Sequence, residues 1–218
     1  MKRIIVTVVA LAFVLLSAGA ALAAISGSKH DMRTHMASVS GGYDEVCVYC
    51  HTPHGANPAA PLWNHSMSAP TGFTVYSNAV SSTMQATTGQ PGPGSLLCLS
   101  CHDGTMAIDS MANPPLTGAA TGKAAGTVIG KKITSGMALL GTNLSNDHPI
   151  GFSYSSAITN GDTGLVALLT VQSNTLVRLI NGTQVECSSC HDAHNSTASP
   201  FLRAANTGSA LCIACHAK

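Results

Sequence analysis

The chain has 218 residues, with ten Lys and Arg against nine Asp and Glu, and charged residues make up only 9% of it. That balance offers no basic face for nucleic acid. Four Phe, four Tyr and one Trp are poor material for an ordinary hydrophobic core.

At the N-terminus, Lys2 and Arg3 lead into IIVTVVALAFVLLSAGAALAA. A basic start, an apolar stretch and a small-residue end predict a secretory signal peptide. Cleavage after Ala21-Leu22-Ala23 removes residues 1–23 and leaves 24–218 as a single unit. The run is marginal as a membrane span, and no later stretch is long and apolar enough. The mature chain is therefore expected to carry no span and to act in the periplasm or beyond the cell.

Four pentapeptides then punctuate the sequence: Cys47–His51, Cys98–His102, Cys187–His191 and Cys212–His216. Each reads C-x-x-C-H, the attachment pattern for c-type haem. They use Cys47, Cys50, Cys98, Cys101, Cys187, Cys190, Cys212 and Cys215, which are all eight cysteines. Two thiols add across the vinyl groups of one haem, and the adjoining His51, His102, His191 or His216 becomes the proximal iron ligand. Zinc pairs, disulfides and thioredoxin-like motifs do not require a histidine after the second cysteine. Four covalently bound haem c groups are expected. Each adds two propionates, so the exported holoprotein sits at about −9.

Between the first two motifs the chain is rich in proline and glycine, with Pro58, Pro61, Pro70 and Pro91–Gly94, and reads as loop. Ser95 and Thr207 are expected N-caps of short helices carrying the second and fourth motifs. The gap after Asn113 is rich in Gly, Ala and Thr, with Val128, Ile129, Ile133 and Leu139 as a possible small β element. Leu165–Val171 fits a strand or a helical turn equally. Thr175–Ile180, Asn181-Gly182 and the residues that follow predict a β-hairpin leading into the third motif. The fold class is mostly coil with short α-helices and a little β-hairpin, the haems forming the core. The apo chain is expected to be largely unfolded.

Six histidines remain: His30, His35, His54, His65, His148 and His194. An iron that only carries electrons needs a second strong ligand, and six candidates suffice for four irons. The eight methionines, Met1 among them, keep no register with the motifs. His54 and His194 each follow a proximal histidine by three residues, so each must turn to a neighbouring haem. His54 is assigned to the second haem and His194 to the fourth. His148 precedes Pro149, which holds it extended in a ligand loop, and His30 lies near the mature N-terminus. His35 and His65 are expected to face solvent or a propionate.

GSKHD, CVYCHTPHGA, APLWN, CLSCHDGT, NDHPIGF, VECSSCHDAH and LCIACH together resemble small exported multihaem cytochromes. Within them the chain is similar to the OmcE-type tetrahaem outer-surface cytochromes, which polymerise into conductive filaments in metal-reducing bacteria. The resemblance implies bis-histidine haems with distal ligands at His30, His54, His148 and His194. It implies head-to-tail self-association, an axial histidine that comes from the adjacent subunit (here His30, on the N-terminal arm), redox partner cytochromes and extracellular acceptors such as metal oxides. Electron transfer without substrate chemistry is the expected function, with no enzyme activity. The alternatives are a soluble periplasmic tetrahaem shuttle and a multihaem reductase, which needs an iron with an open position.

Overall fold

The structure is a computed structural model that describes residues 25–36, 43–58, 60–67, 69, 71–115 and 130–217. The expected signal segment, and Val128 and Ile129 of the glycine-rich gap, lie outside the described residues. Ile133 and Leu139 are described and form no strand.

The chain is mostly coil, with brief regular elements. In order these are α1 (Met32–Met36), β1 (Thr74–Val75), α2 (Pro93–His102), β2 (Asn143–Leu144), β3 (Phe152–Ser153), α3 (Tyr154–Thr159), α4 (Leu168–Gln172), β4 (Gln184–Val185), α5 (Cys187–Cys190), a 3-10 turn (Thr207–Ser209) and α6 (Ala210–Ile213). β1 pairs with β2 in parallel, and β3 with β4 antiparallel.

Local chemistry explains the boundaries. α2 starts at Pro93 with Gly92 as its N-cap, because proline at the first position has its φ preset and its missing N–H costs nothing there. Ser95 is therefore inside the helix, not at its cap, and its buried hydroxyl turns to Glu186. Thr207 likewise lies inside the 3-10 turn, and Asn206 supplies the capping oxygen to Leu211 N at 3.0 Å. Asn181 (φ 50°) and Gly182 (φ 79°) take the left-handed conformations expected of Asn-Gly. The ladder across that turn stops at one bridge, Ile180 to Gln184, because β4 is claimed by β3 instead. Leu165–Val171 divides: Leu165 bridges His216, and helix begins at Leu168.

Three small apolar clusters replace a single core. Tyr154, Val171, Val177, Leu179, Val185, Leu211 and Ala214 gather at the fourth motif, with Cys215 packed against them. Met36, Tyr43, Tyr49 and Ile108 pack beside the first, with Cys50 against them. Phe73, Leu96, Leu99 and Leu144 pack around α2.

Tyr154 ties the largest cluster to the last motif. It is 2% exposed, and its hydroxyl lies 2.8 Å from both Val166 O and Cys215 O. Tyr154→Phe keeps the ring and leaves both carbonyls without this donor. The expected cost is about 1–2 kcal/mol, read as a lower Tm with the secondary-structure content unchanged.

Candidate haem-binding sites

The first motif is an irregular turn in which His51 N bonds Cys47 O at 2.8 Å. Its loop is closed by buried Asn64, whose Nδ2 donates to Val48 O at 2.7 Å and whose Oδ1 accepts from Asn113 N at 2.8 Å. The His51 ring stands edge-on to Trp63, with centroids 6.0 Å apart, and bonds the backbone of Leu62. On its other side is His194, nearly parallel, with ring centroids at 5.9 Å.

The second motif ends α2. His102 Nδ1 lies 2.7 Å from Ala138 O, and a carbonyl only accepts, so Nδ1 is the donor and Nε2 is left free of this bond. Opposite it is His30, at 6.1 Å between centroids and 70° between planes. His30 stacks on Phe201 at 4.1 Å. Burial, then His102, holds the His30 imidazole below its ordinary range; burial, then His194, does the same to His51. Neutral rings are what a metal requires.

The N-terminal arm that bears His30 is fixed by Asp31, which is 2% exposed. Arg33 donates to both its oxygens, from Nε at 2.8 Å and Nη2 at 2.7 Å, and Gly27 N adds a third bond at 2.8 Å. The Arg33 hydrogen bond comes first among the causes that bring the Asp31 carboxyl down to about 2.

In the third motif, α5 carries the cysteines and His191 follows. His191 Nδ1 lies 3.0 Å from Pro200 O. No imidazole ring faces His191 among the described residues. In the fourth motif, His216 faces His148 at 6.3 Å and 71°, and His148 Nδ1 is held by Pro149 O at 2.9 Å.

These separations test whether haem fits. An iron–nitrogen bond of about 2.0 Å on each side, plus about 1.1 Å from ring nitrogen to ring centre, sets coaxial imidazoles about 6.2 Å apart. The three centroid separations of 5.9, 6.1 and 6.3 Å match that spacing, and coordination leaves the angle between the ring planes free. Carbonyl partners on Nδ1 are the usual outer shell of a metal-binding histidine. At the first motif the indole Nε1 of Trp63 is buried with no hydrogen-bond partner. It is a donor of the kind a propionate needs.

All eight cysteines are unpaired thiols, and those of successive motifs lie close enough to act on one another. Burial, with Cys50 as the next cause, pushes the Cys101 thiol up to about 12. The proximity of Cys98 and Cys187 holds the first thiol above and the second below the ordinary thiol range. Cys215 is raised to about 11 by burial and then by Cys190. Among the described residues no three His, Cys, Asp or Glu converge on a metal position of their own.

The pairing differs from the sequence expectation. His194 faces the first proximal histidine, not the fourth. His30 faces the second within its own chain. His54, expected at the second haem, is exposed and faces no proximal ring; its backbone is pinned by Thr52 Oγ1 and Asn113 Nδ2, at 2.8 and 2.6 Å from its carbonyl. His65 is not solvent-facing: it is 1% exposed, with Nδ1 at Ser66 O (2.7 Å) and Nε2 at Ala107 O (2.8 Å). Both nitrogens are engaged. His35 Nε2 lies 2.9 Å from Lys29 O. The outward turn of His194 follows from its spacing, but its partner is settled only by folding.

Residues 181–218 match the family described as the doubled CXXCH motif. This is a c-type haem-binding segment, and it points to a multihaem cytochrome c that transfers electrons. No curated protein matches the chain. Among the described residues no helix is long and apolar enough to cross a membrane.

Asp31→Asn removes the charge that holds Arg33 and weakens the Gly27 contact. Local opening of the arm is expected to become about tenfold more frequent, seen as faster hydrogen exchange at the Gly27 amide with the Tyr154 region unaffected.

Proposed function

We propose that this chain is an exported tetrahaem cytochrome that conducts electrons as the subunit of an extracellular filament, without acting on a substrate. The observation that carries the reading is an asymmetry in the histidines. His51, His102 and His216 each face a second imidazole across a gap suited to iron, whereas His191 faces none and His54 is exposed. A site lacking one ligand and a ligand lacking a site are satisfied together when His54 of one copy meets His191 of the next. Such a contact is heterologous, so repetition gives an open chain.

Bound haem supplies one-electron iron chemistry, and the residues supply its surroundings. His51 with His194, His102 with His30 and His216 with His148 would hold three irons from both faces, leaving no position for a substrate. The thiols of successive motifs, Cys50 and Cys101, Cys98 and Cys187, Cys190 and Cys215, lie near enough to influence one another's ionisation, which supports a continuous relay. Redox partner cytochromes and external acceptors such as metal oxides would meet the ends of the polymer.

The mass of the exported protein should show four haems beyond the polypeptide. Replacing His30, His148 or His194 by Ala should each create one iron that binds carbon monoxide, while His35→Ala and His65→Ala should create none. A variant of the first group whose irons all stay inert would remove that residue from the ligand set.

Assembly has its own test. His54→Ala should load four haems yet form no filaments in negative stain. Wild-type monomer at high dilution should have one iron open to carbon monoxide, closed on assembly. A dilute monomer with four closed irons would favour the soluble periplasmic shuttle, and an iron that stays open in the native assembly would favour a reductase.

A further inference from the structure

Glu186 is a buried carboxylate, 6% exposed, that no ligand pair uses. It lies where α2 meets α5, between the second and third motifs. Its Oε2 accepts Gly92 N at 3.2 Å and a very short hydrogen bond from the Ser95 hydroxyl. Within its own turn it accepts the backbone N–H of Ser189, and its N donates to Ser189 Oγ at 3.0 Å. Ser95 Oγ accepts in turn from Cys187 N at 3.0 Å.

The partners of this side chain are the N–H groups of Gly92 and Ser189 and the Ser95 hydroxyl. None is a cation: among the described residues the ion pairs belong to Asp31 and Asp192. The α2 backbone closes over the group, for a Cβ at Gly92 would lie 2.3 Å from Glu186 Oε1. Cys187 follows it in the chain and donates its N–H to Ser95 Oγ, and Cys98 lies one turn beyond Ser95 on α2, so the group adjoins two attachment points at once.

We infer that Glu186 sets the potentials of the second and third haems, lowering both by holding a negative charge without an ion-pair partner at the junction of their attachment helices. This rests on the haem-carrying reading above. Ferric haem has one more positive charge than ferrous, so a fixed anion in a water-poor site stabilises the oxidised form. Acting on both sites, the charge keeps the step between them level while it changes the steps to the first and fourth.

Two variants test this in the loaded protein, with haem content fixed first by mass so that loss of haem is not confused with loss of the effect. Glu186→Gln removes the charge and keeps an acceptor oxygen. Two of the four midpoints should rise together, each by about 59 mV, equivalent to about a tenfold change in the reduced-to-oxidised ratio, with the Soret circular dichroism unchanged. Ser95→Ala keeps the charge and removes a donor that partly offsets it, so the same two midpoints should fall. Opposite signs support the inference. Unchanged midpoints in either variant, shifts of the same sign in both, or a shift of all four would overturn it. Should Glu186→Gln fail to load four haems, the direction of the Ser95→Ala shift decides alone.

Discussion

A metal held between two imidazoles imposes a narrow geometry: rings on one axis, a fixed gap, and each remote nitrogen satisfied elsewhere. This chain meets the last condition with its own backbone. Ala138, Pro149 and Pro200 carbonyls accept from Nδ1 of His102, His148 and His191, an arrangement that would leave Nε2 to face an iron. These carbonyls belong to coil, where they are not consumed by helices or ladders. The scarcity of regular structure is thus part of how the ligands are oriented.

What could be read from the sequence is what is decided locally. The four attachment motifs need only five consecutive residues each. Asn181-Gly182 announces a turn because its conformations are intrinsic to those residue types. The same logic misplaces the start of α2, since Ser95 is a good cap in isolation while Pro93 has the stronger positional preference and Glu186, ninety-one residues away, gives Ser95 another task. The hairpin's second strand was equally exposed to competition from a distance: Gln184–Val185 pairs with Phe152–Ser153.

The distal histidines lie at the far end of that scale. Spacing shows that His194 must look away from its own motif, but not that the loop of Cys47–His51 waits there. His65 has no local mark separating it from a surface histidine, yet the fold buries it on two carbonyls. His30 depends on Asp31 and Arg33 gripping the arm, a contact of near neighbours whose consequence, the meeting with His102, is long-range. Composition gave the other kind of information. So few aromatic residues left room only for small clusters, and small clusters are what form, each against a motif.

The clusters are too small and separate to hold the motifs together by themselves, which gives weight to the contacts between motifs. α2 and α5 meet through Ser95, Glu186 and two thiols, a polar junction in a place where larger proteins bury hydrocarbon. Polar junctions demand complete satisfaction, and this one has it: the carboxylate, the serine hydroxyl and the Cys187 amide each find a partner. Such a joint fixes the relation between two attachment helices more narrowly than apolar packing, which tolerates repacking. In the proposed carrier, whose rate would depend on the separation of neighbouring cofactors, narrow placement at that joint would matter more than added stability, and a charge retained there would act on both neighbours at once.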